Sequence, residues 1–360
     1  MDLQIYLSER IYGQEDAVLK VSKALRRASL VKTPEKPRAS FLLLGPTGTG
    51  KTEIVKQFTN RLFGSEDLLH RFDMADFQHD SSVKEFRGDE LGNSEGRLAE
   101  VLKKNSHGTL LFDEMEKAHP KILTLFLSMM SAARMTSSKG VTYNLEDYYI
   151  VFTSNIASDK VARCDNAPVE TLERIILNAL LSTPGISPEF VNRFSKIVVF
   201  RKLKTEHYRR IAVKFIESEL ELLNSQGHSL DYHESLVDLT LRTGGVDTRM
   251  GARPMERCVS EHIRDSFADH VAIAMKGRSN TPPPSVSGTI YANLRYNKAV
   301  LLSSGDEIDI DGFKDLSKGH IDNSKFSMEF HPNNFRSKAI ASHGQSFLEK
   351  SNALTLETKS

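Results

Sequence analysis

The sequence predicts an α/β fold: a doubly wound parallel sheet built around a glycine-rich loop, followed by a smaller helical domain. Three observations predict it. The stretch FLLLGPTGTGKT, Phe41 to Thr52, runs from apolar residues into a glycine-rich loop and on into a helical pattern. Two further apolar runs, TLLFDE at Thr109 to Glu114 and YYIVFTSN at Tyr148 to Asn155, each end in polar residues, as strands do at the carboxyl edge of such a sheet. From Leu203 onward the strand-like runs give way to helical stripes.

Taken in order, IYGQ at Ile11 to Gln14 precedes an amphipathic helix whose stripe is Ala17, Val18, Val21, Ala24 and Leu25. Pro34 and Pro37 mark a loop. Phe41 to Leu44 then read as a buried strand, Gly45 to Thr52 fits G-x-x-x-x-G-K-[ST], and Ile54, Val55, Phe58 and Leu62 recur at helical spacing. That context gives the motif its meaning. Gly45, Gly48 and Gly50 let backbone N–H groups turn toward phosphates, and the new helix aims its positive end at the same place. Lys51 is the group to reach the β- and γ-phosphates, and the Thr52 hydroxyl is a magnesium ligand.

A second apolar segment around Phe72 ends in DMADF, where Asp73 or Asp76 is either a polar site residue or a cap. At the end of TLLFDE, side-chain alternation lets Asp113 face a metal while Glu114 addresses water. Asn155 closes the next strand with a neutral amide suited to holding the attacking water; an asparagine there also opens turns. In PEFVNRFSKIVVF, Pro188 to Phe200, Arg193 precedes a β-branched strand. It is either a surface ion-pair residue or an arginine that stabilises a neighbour's phosphate.

Beyond Leu203, Tyr208, Ile211, Ala212, Phe215, Ile216 and Leu220 form one helical stripe, and Met255, Val259, Ile263, Phe267 and Val271 another. GARP, Gly251 to Pro254, lies between them and puts Arg253 at the start of the second helix. Gly288 to Leu294 and Lys298 to Leu302 alternate as a hairpin does. The chain then turns polar. The expected division is a large nucleotide-binding domain over residues 1–202, a small helical domain over 203–304 and a weakly ordered tail over 305–360.

With 360 residues, 39% hydrophobic and 26% charged, the chain can bury a sizeable core. Its net charge of +1 gives no global basic field and so does not imply a nucleic-acid partner, and no run is long enough for a membrane span. The opening MDLQIYLSER lacks signal-peptide order, so the expected compartment is the cytoplasm. Cys164 and Cys258 stand alone, without metal-type spacing.

The order of motifs resembles the second, C-terminal ATPase domain of the Clp unfoldases and disaggregases, ClpA and ClpB, within the AAA+ superfamily. The resemblance is carried by IYGQEDAV, FLLLGPTGTGKTE, FDMADF, LLFDEMEKAHP, TSN, PEFVNR and GARP. It implies an AAA+ fold with a small helical lid, binding ATP and Mg²⁺. Gly45, Pro46, Thr47, Gly48, Thr49, Gly50, Lys51 and Thr52 become the Walker A loop, with Glu53 directly after it. Asp113 and Glu114 become the Walker B pair, with Asp113 on the metal. Asn155 becomes the first sensor, Arg193 a finger acting on a neighbouring subunit, and Arg253 the second sensor. Ile11 and Tyr12 would lie near the adenine. A finger in trans implies a hexameric ring.

The sequence also departs from these relatives. Between Val83 and Glu100 it reads VKEFRGDELGNSEGRLAE, with no Gly-Tyr-Val-Gly and with Phe86 as its one aromatic, a residue that either meets a client or packs. A first ATPase domain, the ClpB middle domain and the Ile-Gly-Leu or Ile-Gly-Phe tripeptide for peptidase docking are not found. The expectation is therefore an ATPase that remodels a specific protein client, and the alternative is a nucleotide-controlled assembly or adaptor protein.

Overall fold

The structure, a computed structural model, describes residues 2–89, 95–164, 167–244, 250–275, 285–293, 297–303, 308–309 and 312–313. The chain divides into two units, Met1–Tyr208 with Asp247–Arg253, and Arg209–Val246 with Pro254–Ser360.

The first unit opens with α1 (Leu3–Ser8), capped by the Asp2 carboxylate, and α2 (Glu15–Leu30). Its sheet contains β1 (Ala39–Leu44), β2 (Leu69–Asp73), β3 (Gly108–Asp113), β6 (Tyr148–Ser154) and β7 (Lys196–Val199), in the order β2-β3-β6-β1-β7 with every pair parallel. A short antiparallel pair, β4 (Arg134–Thr136) with β5 (Thr142–Asn144), stands apart from it. The connecting helices are α3 (Lys51–Phe63), α4 (Asp80–Arg87), α5 (Arg97–Lys104), α6 (Pro120–Ala132), α7 (Ser158–Arg163), α8 (Val169–Leu181) and α9 (Pro188–Val191).

β1, β3 and β6 are buried along their whole length because helices cover both sheet faces, which is why they read as continuous apolar runs. Alternation divides them. Leu42, Leu44, Phe112 and Phe152 join the core with Phe86 of α4 and Phe126 of α6, whereas Phe41, Leu43 and Val151 join the core with Val21 of α2 and Phe58 of α3. Each such side chain contributes about 1.5–3 kcal/mol by leaving water. Parallel register also aligns the strand ends: Leu44 pairs with Ser154, and Asp73 with Asp113. The residues that follow β1, β3 and β6 therefore emerge along one edge.

The second unit contains most of α10 (Thr205–Ser225), then β8 (Ser229–Tyr232), α11 (Glu234–Thr243), α12 (Arg253–Ala274) from Pro254 on, β9 (Ser287–Asn293) and β10 (Lys298–Ser303). The expected hairpin is present as the antiparallel β9–β10 pair, while Leu294 lies outside the described residues. Sequence reading missed β8, which pairs in parallel with β9 and makes the sheet three-stranded. The α12 stripe is buried through Met255, Val259 and Ile263, whereas Phe267 sits half-buried against the His228 ring. Ile308–Asp309 and Gly312–Phe313 form a two-residue pair, β11 with β12; the rest of the expected tail lies outside the described residues.

Candidate functional site

The site grows out of the turn between β1 and α3. Gly45, Gly48 and Gly50 have φ of 141°, 70° and 101°, a region costly for side-chain-bearing residues. Space is short as well as conformation. A Cβ on Gly45 would lie 2.4 Å from the Phe200 carbonyl oxygen, and one on Gly48 would lie 2.3 Å from the Met250 carbonyl oxygen. Thr49 braces the loop by donating from Oγ1 to the Pro46 carbonyl at 2.8 Å. Thr47 lies within it, half-buried.

Gln14, almost fully buried, fastens this loop to the end of the sheet. Its amide donates to the Thr49 carbonyl at 3.2 Å and to the Arg201 carbonyl at 2.8 Å, and its Oε1 accepts from the Arg201 N–H at 3.0 Å. Just upstream, Ile11 is buried beside Gly50, and the half-buried Tyr12 precedes Gly13. Gly13, at φ 70°, lies so close to the His207 ring that a Cβ would collide with it.

Lys51 is 7% exposed. Its Nζ donates to the Gly45 carbonyl at 2.7 Å, the Pro46 carbonyl at 2.8 Å and Asn155 Oδ1 at 2.9 Å. Burial lowers its pKa from 10.5 to about 8, against the pull of Asp113, Glu116 and Glu114; Arg253 pushes the same way as burial. Thr52 Oγ1 is 3.5 Å from Asp113 Oδ2, and Glu53, in the first turn of α3, accepts from Gln57 at 2.9 Å.

Asp113 is buried and densely contacted. Thr153 Oγ1 donates to its Oδ1, and the Arg71 guanidinium lies 2.7 Å from Oδ2. Glu114 takes a left-handed conformation, φ 55° and ψ 50°, at a cost of about 1–3 kcal/mol for a residue with a side chain. Its N–H donates to Thr153 Oγ1 at 3.1 Å. Its carboxylate accepts from Asn155 Nδ2 at 3.0 Å and lies 2.5 Å from Lys117 Nζ, whose pKa it raises. Asn155 thus spans Lys51 and Glu114, and its own N–H donates to Glu116 Oε1 at 3.0 Å. The other Glu116 oxygen is buried without a hydrogen-bond partner among the described residues.

Lys51, Thr52, Asp113, Glu114 and Asn155 therefore meet in space. Arg253 is the first residue of α12 and belongs to the first unit, with its charge felt at Lys51. Its neighbour Ala252 donates to the Gly48 carbonyl at 3.1 Å. Arg193 does not join them. It pairs with Glu189 at 2.9 Å, and its carbonyl accepts from Ser40 near the start of β1, about 16 Å along the strand from Gly45. Asp73 caps the 3₁₀ turn after β2 through the Ala75 N–H, and Asp76 lies 3.9 Å from Arg97; among the described residues neither carboxylate makes a hydrogen bond or ion pair to those five. Phe86 is fully buried against Phe72, Phe77, Phe112 and Phe126, which is the packing alternative.

Sequence reading missed Gln14, Arg71, Glu116, Lys117 and Thr153. Arg71 carried one usable signal, its place two residues before Asp73 on the same strand face.

The donor set fits a magnesium nucleotide. The loop is too tight for side chains where backbone N–H groups must approach phosphate, a buried ammonium lies over it, and a hydroxyl faces a carboxylate, both hard oxygen ligands. No group of three or more His, Cys, Asp or Glu side chains is placed to hold a metal by itself among the described residues. No helix among them is long and apolar enough to cross a membrane.

Residues 36–197 match the family model described as AAA domain (Cdc48 subfamily), and residues 203–278 match the C-terminal, D2-small domain of ClpB protein. The chain is 37% identical over 270 residues to Heat shock protein 100 of Trypanosoma brucei brucei, covering 73% of this chain and 31% of that protein. It is 36% identical over 275 residues to the ATP-dependent Clp protease ATP-binding subunit ClpE of Streptococcus pneumoniae, covering 73% and 36%. The chain thus spans about a third of the length of these curated relatives. Among solved structures it is similar to a closed-state cryo-EM reconstruction of Hsp104 with ATPγS and FITC casein, with TM-score 0.70, 29% identity, and coverage of 84% of this chain and 51% of that one.

Proposed function

This chain belongs to the AAA+ ATPases of the Clp/Hsp100 type, and on that premise we propose that it binds ATP with Mg²⁺, hydrolyses it and uses the cycle to remodel a protein client. The observation that carries the reading is the Asn155 amide joining Lys51 to Glu114 across the sheet edge. Three residues from three separate segments converge there, and each has a task in cleaving a phosphoanhydride.

The loop from Gly45 to Gly50 would receive the phosphates on its N–H groups, with Lys51 as the point charge beside them. Thr52 and Asp113 would hold Mg²⁺, which when bound neutralises charge on the β- and γ-phosphates. Glu114 orients the attacking water and accepts its proton, and Asn155 fixes the carboxylate that does so. Ile11 and Tyr12 are assigned to the adenine, Arg253 to sensing phosphate charge, and Arg193 to a neighbouring subunit's γ-phosphate. That last assignment brings a homo-oligomeric, hexameric ring with it. The large domain is assigned to residues 1–202, the small domain to 203–304 and the tail to 305–360, with the cytoplasm as compartment.

A second reading draws support from Phe86. With the one aromatic of its segment sealed in the core, the described part of that segment offers no aromatic grip for polypeptide, which favours a nucleotide-controlled assembly protein that does not thread. One experiment tests both. Purified protein is given ATP and an unfolded model client, hydrolysis is followed, and particles are imaged with a slowly hydrolysed analogue. Remodelling requires hydrolysis, rings and client density in a channel. Rings that hydrolyse ATP without client density favour the switch, and absence of hydrolysis removes both.

A further inference from the structure

A groove between α4 and the first two turns of α6 has a volume of about 610 Å³, within the range of ligand-binding clefts. Helical spacing builds one wall. Asp80, Val83, Lys84 and Arg87 stand at i, i+3, i+4 and i+7 of α4 and share one face, while Phe86 points into the core. Lys121, Ile122 and Leu125 of α6 face them. Gly88, at φ 106°, lets the Ser138 hydroxyl close against the backbone at the groove's end, since a Cβ there would lie 2.3 Å from Ser138 Oγ.

The charges on this groove are unbalanced. Lys121 lies 2.5 Å from Asp80, so one cation is matched in place. Lys84 and Arg87 are exposed, and neither makes an ion pair among the described residues. Below them, Val83, Ile122 and Leu125 form an apolar floor continuous with the domain core.

We propose that this groove binds an acidic stretch of polypeptide, in which carboxylates meet Lys84 and Arg87 and an intervening aliphatic side chain rests on Val83, Ile122 and Leu125. The apolar floor is what favours peptide over a bare anion: inorganic phosphate would use the cations and leave the floor wet. Choosing a peptide rests on the remodelling reading above; the groove's charge and shape do not. Such a site would select clients, or a partner, by charge and would weaken with salt.

The test uses the full chain and two short fluorescein-labelled peptides, one with Glu-Leu-Glu at its centre and one with Gln-Leu-Gln. Anisotropy is expected to show the acidic peptide binding at least about tenfold tighter at low salt. The Lys84→Gln, Arg87→Gln double variant should erase that preference, whereas Lys104→Gln, an exposed charge at the end of α5, should keep it. A photocrosslinking side chain in place of the exposed Thr124 should capture the acidic peptide. Equal affinity for both peptides, or a preference that survives the double variant, overturns the proposal. An equal loss in Lys104→Gln means general charge attraction and overturns it too. Among the described residues no hydrogen bond or ion pair links the Lys84 or Arg87 side chain to Lys51, Thr52, Asp113, Glu114 or Asn155, so ATP hydrolysis without peptide should be unchanged in the double variant; failure of the groove then stays distinct from failure of the ATPase reading.

Discussion

Asn155 accepts a hydrogen bond from Lys51 at 2.9 Å although 104 positions separate the two residues. The same amide donates to Glu114 at 3.0 Å, so one neutral side chain orients both the ammonium and the carboxylate. The two partners should nevertheless fail differently. Lys51→Ala removes the buried charge beside the loop and should abolish tight ATP binding. Glu114→Gln keeps shape but loses the carboxylate, so ATP should still bind while turnover falls at least ~100-fold. Equilibrium binding of a fluorescent nucleotide and single-turnover hydrolysis separate the two, and unmutated turnover in Glu114→Gln would remove it from its assigned role.

The Lys51 pKa of about 8 gives a signed pH dependence. Its folded value is depressed from 10.5, so the unfolded chain holds the proton more tightly. Below about pH 8 both states are protonated and the burial cost is present in full. Stability from this group is then regained as pH rises from about 8 toward 10.5 and lost again on the way down. Phosphates favour the ammonium, so ATP affinity should move oppositely, weakening as pH rises past about 8, with proton uptake on binding. Calorimetry in buffers of different ionisation heat measures that uptake. Lys51→Arg, charged throughout, should show none, and a pH-independent affinity in the unmutated protein would contradict the assignment.

Phe86 should behave as a core residue. It is fully buried among four aromatic rings, so Phe86→Ala should cost about 3–5 kcal/mol in denaturant unfolding. Phe86→Leu, which keeps most of the volume, should cost far less. A client-contacting aromatic would give the reverse pattern, with unchanged stability and lost client binding.

Arg193 separates a ring from a monomer. If its Glu189 pair were its whole role, Arg193→Ala would cost at most about 1 kcal/mol and leave ATPase activity intact. Serving a neighbour's γ-phosphate, it should matter by about 10³-fold. Arg193→Ala subunits keep the phosphate loop, and Lys51→Ala subunits keep the arginine, so each alone should be nearly inactive. Mixed, they should recover activity in proportion to interfaces that pair a good loop with a good arginine. No recovery in rings shown to contain both subunits would remove the trans role.

What the sequence by itself determined was whatever is encoded in contiguous residues. Gly45 to Thr52 needs only its own backbone freedom and flanking strand and helix to be recognised, and TLLFDE and YYIVFTSN announce strand ends by their own polarity change. Tertiary structure decided what depends on which strand lies beside which. Arg71 reaches Asp113 because β2 pairs with β3 in the register that sets Asp73 opposite Asp113, and nothing in LHRFD states that register. Gln14 bridges Thr49 and Arg201 across 187 positions, a glutamine indistinguishable in sequence from a solvated one. β8, SLDY, is too short and too mixed to show a strand period, and exists because β9 offers it a free edge. Phe86 was ambiguous for the same reason: one aromatic in a polar stretch carries no direction, and only the folding of α4 against the sheet turns it inward and leaves Lys84 and Arg87 facing out.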